Sequence, residues 1–86
     1  MHTIELLELA LDIVQASGYR VRRDWLAGQR GGACTIRGQK WLFIDLASEY
    51  AEQLEDVVDV LQSEPAIDRA KLPKELAPLL TRPRAA

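Results

Sequence analysis

The spacing of apolar residues changes period along this chain, and each change marks an element. From 3 to 17, Leu6, Leu7, Ala10, Leu11, Ile13 and Val14 fill one arc of a 3.6-residue turn, while Glu5, Glu8, Asp12 and Gln15 form a polar stripe opposite. This predicts a helix, with Thr3 as its cap and Gly18 just past its end. From 19 to 26 the period drops to two. Tyr19, Val21, Arg23 and Trp25 point one way and Arg20, Arg22, Asp24 and Leu26 the other, the partial alternation of an edge or half-buried strand. Residues 27–32 hold three glycines and read as a loop. From 31 to 46 two runs rich in β-branched and aromatic residues flank Gly38-Gln39 and predict a β-hairpin. A Gly-X pair suits a two-residue type II′ turn. That turn sets Arg37 opposite Lys40, Ile36 opposite Trp41, Thr35 opposite Leu42 and Cys34 opposite Phe43.

The helical period returns at 48–62, where Tyr50, Leu54, Val57, Val58 and Leu61 form an apolar stripe and Ser48 is the expected cap. Pro65 stops this helix. All four prolines lie beyond residue 64. A short helix starting at Pro73 is compatible with 73–80. Leu72, Leu76, Leu79 and Leu80 are too apolar for a free tail, so this segment is expected to dock, and 81–86 to fray. The order predicts an α+β two-layer sandwich: helix, three-stranded antiparallel meander, helix, and a short C-terminal helix or tail. Residues 1–64 form the expected domain, and 65–86 a proline-containing segment docked in part.

The hairpin faces decide what is left for function. Cys34, Ile36, Trp41 and Phe43 share a face with no polar residue, which makes it the expected core face. Ala33, Thr35, Arg37, Lys40, Leu42 and Ile44 share the other. Charge then adds a pattern. Residues 20–40 hold Arg20, Arg22, Arg23, Arg30, Arg37 and Lys40 against one acid, Asp24, whereas 49–64 hold six acids and no base. Arg20, Arg22, Arg37 and Lys40 would surround Leu42 and Ile44 on an outer sheet face, an apolar centre with a charged rim. These six residues are the candidate binding face.

The totals exclude more than they assign. The chain has 86 residues, is 48% hydrophobic and 28% charged, and carries a net charge of −2. That is one small domain with a marginal core and no general attraction for nucleic acid or membranes. One cysteine makes no internal disulfide. Acidic residues interrupt the apolar positions near the N-terminus, no basic stretch precedes them, and no apolar run is long enough for a membrane span. A soluble cytoplasmic protein is expected. The chemistry-bearing inventory is thin. His2 is the one histidine, at the N-terminus, and Cys34 sits on the expected core face, so neither a catalytic triad nor a Cys/His zinc cage can be assembled. The glycines of 28–32 precede a strand, not a helix, and no Gly-Lys-Ser/Thr follows, which argues against a phosphate loop. A helix spaces the carboxylates of its acidic row along its surface instead of converging them on a cation. No catalytic residue, metal or cofactor is expected.

A glycine-turn hairpin ending in Ile44-Asp45 and followed by an amphipathic helix resembles the strand-to-helix opening of small bacterial zinc peptidases. Their helix carries His-Glu-x-x-His. The nearest stretch here, Leu54-Glu55-Asp56-Val57-Val58, keeps only the glutamate, so the resemblance implies neither a metal nor a peptidase activity. More broadly, the chain resembles small uncharacterised bacterial proteins, a likeness that implies no activity. Two functions are compatible with all of this. The first is a non-enzymatic interaction module that self-associates or docks on a protein, with a homodimer lined by residues 65–80 as the expected assembly. The alternative is a nucleic-acid binder that uses the basic ribbon, with Trp25 or Trp41 stacking on bases.

Overall fold

A computed structural model describes residues 2–27 and 31–80. Helix α1 spans Thr3–Ala16 and α2 spans Tyr50–Ser63. Strands β1 (Arg20–Asp24), β2 (Gly32–Ile36) and β3 (Gln39–Asp45) lie between them. After α2 come two single 3₁₀ turns, Arg69–Lys71 and Lys74–Leu76, and the short helix α3, Ala77–Leu80. The expected fraying of 81–86 lies outside the described residues.

Helix α1 ends as its sequence predicts. Gly18 has φ +100°; its N–H reaches the Gln15 carbonyl at 3.1 Å and the Tyr19 N–H reaches Val14 at 3.3 Å. Those two bonds are the Schellman pattern that satisfies the last carbonyls of a helix. The expected caps differ. His2 and Glu49 occupy the N-cap positions and neither makes a side-chain cap bond, so Thr3 is already helical and Ser48 lies one residue too early.

The architecture is α+β, but the sheet is mixed and its order is β1-β3-β2. β2 and β3 form the expected hairpin. β1 does not pair with β2. It lies parallel to β3, with Arg20 beside Trp41, Val21 beside Leu42, Arg22 beside Phe43 and Arg23 beside Ile44. This corrects the antiparallel meander. The turn also differs: its central residues are Arg37 (φ +51°) and Gly38 (φ +80°), both left-handed, as a type I′ turn requires. Ile36 therefore pairs with Gln39, Thr35 with Lys40, Cys34 with Trp41, Ala33 with Leu42 and Gly32 with Phe43. The register slips by two positions from the Gly38-Gln39 alternative, so every residue keeps its face. At the start of β2, Gly31 approaches β3 so closely that a Cβ there would sit 2.7 Å from the Phe43 carbonyl oxygen.

The core reverses the expected choice of face. Leu42 and Ile44 are 0% exposed and join Leu7, Ala10, Leu11 and Val14 of α1 and Leu54, Val57, Val58, Val60 and Leu61 of α2. Ile36, expected inside, is 46% exposed; Cys34 is exposed, and Trp41 and Phe43 are half-buried. The reason lies on β1. Parallel pairing puts Arg20 and Arg22 on the same face as Trp41 and Phe43, and covering that face would strip water from two guanidinium groups. The other face brings Val21 beside Leu42, and Arg23, whose long side chain reaches out to Glu8 of α1 at 2.9 Å. The tail completes this core: Ile67, Leu76 and Leu80 are buried in it, and Leu72 and Leu79 pack against it. Arg69 and Gln62 donate to the Leu80 carbonyl at 2.9 and 3.2 Å, which ties the tail down at its end.

Candidate functional site

The candidate face of the sequence divides between the two sides of the sheet. Leu42 and Ile44 are core and unavailable to any partner. Lys40 is on their side, at the hairpin end of β3, and its ammonium pairs with the Glu64 carboxylate. Arg37 stands exposed in the turn. Arg20 and Arg22 point outward from β1, and the residues they meet there are Trp41 and Phe43, not the expected Leu42 and Ile44.

The outward face is thus built by alternation on three strands. β3 contributes Trp41 and Phe43, whose rings are within 12° of parallel with centroids 5.7 Å apart. The Arg20 guanidinium lies over the Trp41 ring, 5.8 Å from its centroid, within reach of a cation–π attraction. Arg22 bonds Asp24 at 3.3 Å, an exposed pair that contributes little to stability. β2 adds Cys34 and Ile36, both exposed. Trp25, just past β1, is 68% exposed. Arg30 lies outside the described residues. The acids are elsewhere: Glu49 at the N-cap of α2 and Glu52, Glu55 and Asp59 on the helix are exposed, and α2 packs on the core side.

A second polar cluster sits on the core side and is structural. The Glu64 side chain is 4% exposed and fully partnered. Its Oε1 accepts from Lys40 Nζ and from the Tyr19 hydroxyl at 3.1 Å, and its Oε2 accepts from the Ala66 N–H at 3.1 Å. Lys40 Nζ also lies over the Tyr19 ring, 5.6 Å from the centroid. These bonds join the start of β1, the start of β3 and the end of α2. The hydrogen bond from Lys40, followed by that from Ala66, holds the Glu64 carboxyl below the usual glutamate range against the opposing effect of burial. The same bond to Glu64 pushes Lys40 up. Burial, then the bond to Glu64, pushes Tyr19 up.

The pH consequence follows from these signs. A carboxyl lowered in the folded state stabilises above its unfolded pKa of about 4.3, and the gain is lost as pH falls through the lowered value. A lysine and a tyrosine raised in the folded state stabilise below about 10, and that gain is lost as pH rises through the raised values. Glu64→Gln is therefore expected to lower the melting temperature by several degrees at neutral pH. The gap to wild type should narrow in acid below the glutamate range and again in alkali beyond the lysine range. Melting curves across pH check this; a gap that stays constant from acid to alkali excludes the network as its source.

An open cleft of about 260 Å³ at the start of α2 is lined by Arg23, Leu46, Ser48, Glu49, Tyr50 and Gln53, and its arginine is already held by Glu8. The Asp45 carboxylate, at the end of β3, accepts backbone N–H groups from Ala47 at 3.0 Å and Leu26 at 3.4 Å, fixing the loops that leave β3 and β1. Among the described residues no group of three or more His, Cys, Asp or Glu is placed to hold a metal ion, and no helix is long and apolar enough to cross a membrane. No protein-family model matches the chain, and neither the curated proteins nor the solved structures hold a significant match to it.

Proposed function

We propose that this domain is a non-enzymatic docking module whose working surface is the outward face of the sheet. The reading takes the domain as two layers, with both helices on one side of the sheet and the other side left for a partner. One observation carries it: Trp41 and Phe43 keep part of their surface open beside Arg20 and Arg22, on the face opposite the core. Leaving aromatic surface in water forgoes about 25 cal/mol per Å², a large concession in so short a chain. Aromatic residues and arginine are the types enriched where proteins meet. The positive charge of Arg20 and Arg22 selects for carboxylates, so the partner is a protein segment whose apolar side chains are flanked by Asp or Glu. An exposed free thiol at Cys34 supports a reducing, cytoplasmic setting.

A second reading has its own support. A guanidinium over an indole with a second ring alongside is the combination on which single-stranded nucleic acid stacks its bases. The net charge of −2 and the acidic α2 weigh against it. Selecting a random peptide library on the wild type and on the double variant Arg20→Glu/Trp41→Ala tests the first reading. Acidic-aromatic or acidic-aliphatic peptides should bind the wild type at least about tenfold more tightly, a difference of about 1.4 kcal/mol. Peptides that bind both proteins equally, or no enrichment, sink it. Fluorescence anisotropy with labelled oligothymidine and oligouridine at about 50 and 200 mM salt tests the second. Binding that weakens steeply with salt and is lost in the double variant would put nucleic acid in the place of the peptide.

A further inference from the structure

The two edges of the sheet are built differently. β1 packs Arg20, Arg22, Arg23 and Asp24 into five residues, and charge of that density is how an edge strand resists pairing with another chain. β2 reads Gly-Ala-Cys-Thr-Ile, with no charge and no proline, and Ala33 to Ile36 are all exposed. Among the described residues β3 is its one strand partner. Hydrogen-bond parity shows which groups of β2 are free to add a strand. In a two-residue hairpin the flanking residues, here Ile36 and Gln39, exchange backbone bonds. Alternation then turns Cys34 and Gly32 inward to β3 as well, and leaves the N–H and C=O groups of Ala33 and Thr35 aimed away from the sheet.

We infer that β2 pairs antiparallel with β2 of a second copy across a two-fold axis at Cys34, joining the two sheets into one. Parity admits an axis at Ala33, Cys34 or Thr35, and the length of the strand selects Cys34. Ala33 exchanges backbone hydrogen bonds with the partner's Thr35, and Thr35 with the partner's Ala33. An axis at Cys34 uses the whole five-residue strand, whereas moving it to Thr35 runs one end into the turn at Arg37 and moving it to Ala33 sets Thr35 and Ile36 opposite residues that precede β2. The contact is isologous, so it closes at two copies. Charge decides for the edge over the face. Stacking two outward faces would bring Arg20 and Arg22 of each copy onto their like. Edge pairing instead joins the neutral strands and sends both arginine clusters to the far rims. Cys34 then sits in a non-hydrogen-bonded pair opposite the partner's Cys34, with Cα atoms about 4.5 Å apart, inside the range a disulfide spans. This goes beyond the proposed docking face and is tested without any partner for that face.

Sedimentation equilibrium of the reduced full chain over tens to hundreds of micromolar is expected to give twice the 9.7 kDa protomer mass. Cys34→Ser should remain a dimer. Cys34→Lys sets like charges directly opposite each other at an exposed position, and should be monomeric over the same range. Thr35→Pro removes an N–H that β3 does not use, so it should keep the far-UV circular dichroism of the wild type and lose the dimer. Diamide should convert the wild type to a Cys34–Cys34 disulfide dimer. Two thiols give up two protons and two electrons, which reduce diamide to its hydrazine. Crosslinking should be at least about tenfold slower in Thr35→Pro. A monomeric wild type, a dimer that Cys34→Lys and Thr35→Pro leave intact, or equal crosslinking rates in wild type and Thr35→Pro would each overturn the pairing.

Discussion

Leu42→Ala is expected to cost roughly 2–5 kcal/mol, the range for emptying a fully buried leucine site. Leu42 is 0% exposed at the middle of the central strand, where the sheet meets α1 and α2. Strand partners on both sides, Val21 of β1 and Ala33 of β2, hold its backbone in place, so the cavity has little room to collapse. A domain is stabilised by only about 5–15 kcal/mol, with small ones at the low end, so this single change removes a large share of the total. Trp41→Ala removes a larger side chain and should cost less, because Trp41 is only half-buried and leaves water, not a cavity, behind. Urea unfolding of the two variants checks the ranking. If Trp41→Ala is the more damaging, the faces of the sheet are the other way round.

A chain ending at Ser63 is expected not to fold. The removed segment contributes Ile67, Leu76 and Leu80 to the core. Each is worth roughly 1.5–3 kcal/mol when buried, and together they approach the ~5–15 kcal/mol that stabilises a whole domain. The loss does not stop there. Leu76 is 0% exposed, so its removal opens the core beneath it to water. Glu64 goes too, and Lys40 and Tyr19 lose the carboxylate that joins them. The truncated chain should show neither a cooperative thermal transition nor dispersed amide resonances. A folded, cooperative fragment would show that the segment after α2 is an appendage. Leu76 and Leu80 are covered within their own chain, so an assembly no longer needs them at its interface.

Both long helices were legible because a 3.6-residue period repeats over four turns, and their bounds differ from expectation by no more than two residues. The hairpin was legible as well, but not its turn. Gly38 suits the first central position of a type II′ turn and the second of a type I′ turn equally. Arg37, which takes the left-handed conformation in the turn that forms, carries no propensity that announces it. The partner of β1 was not legible: Arg20 meets Trp41 about twenty positions later, and no local pattern encodes a pairing at that range. The error in the faces descends from it. Judged on the hairpin alone, Trp41 and Phe43 outweigh Leu42 and Ile44 in apolar area. Only the third strand, with its outward Arg20 and Arg22, reverses the balance. The candidate face divides for the same reason: Leu42 and Ile44 go into the core, while Arg20 and Arg22 lie on the opposite face beside Trp41 and Phe43.

The strand order also dictates a sequence of assembly. β3 is the last strand to be synthesised and the one that joins the other two. Until it leaves the ribosome, β1 and β2 have no partner in the sheet. The type I′ turn lets β2 and β3 zip together within about 1–10 μs, the time of an isolated hairpin. β1 waits on a closure of about twenty residues, and non-local pairings of that kind set the pace of folding in small domains. Until β3 is made, β1 therefore waits as unpaired material, with its arginines keeping that strand soluble.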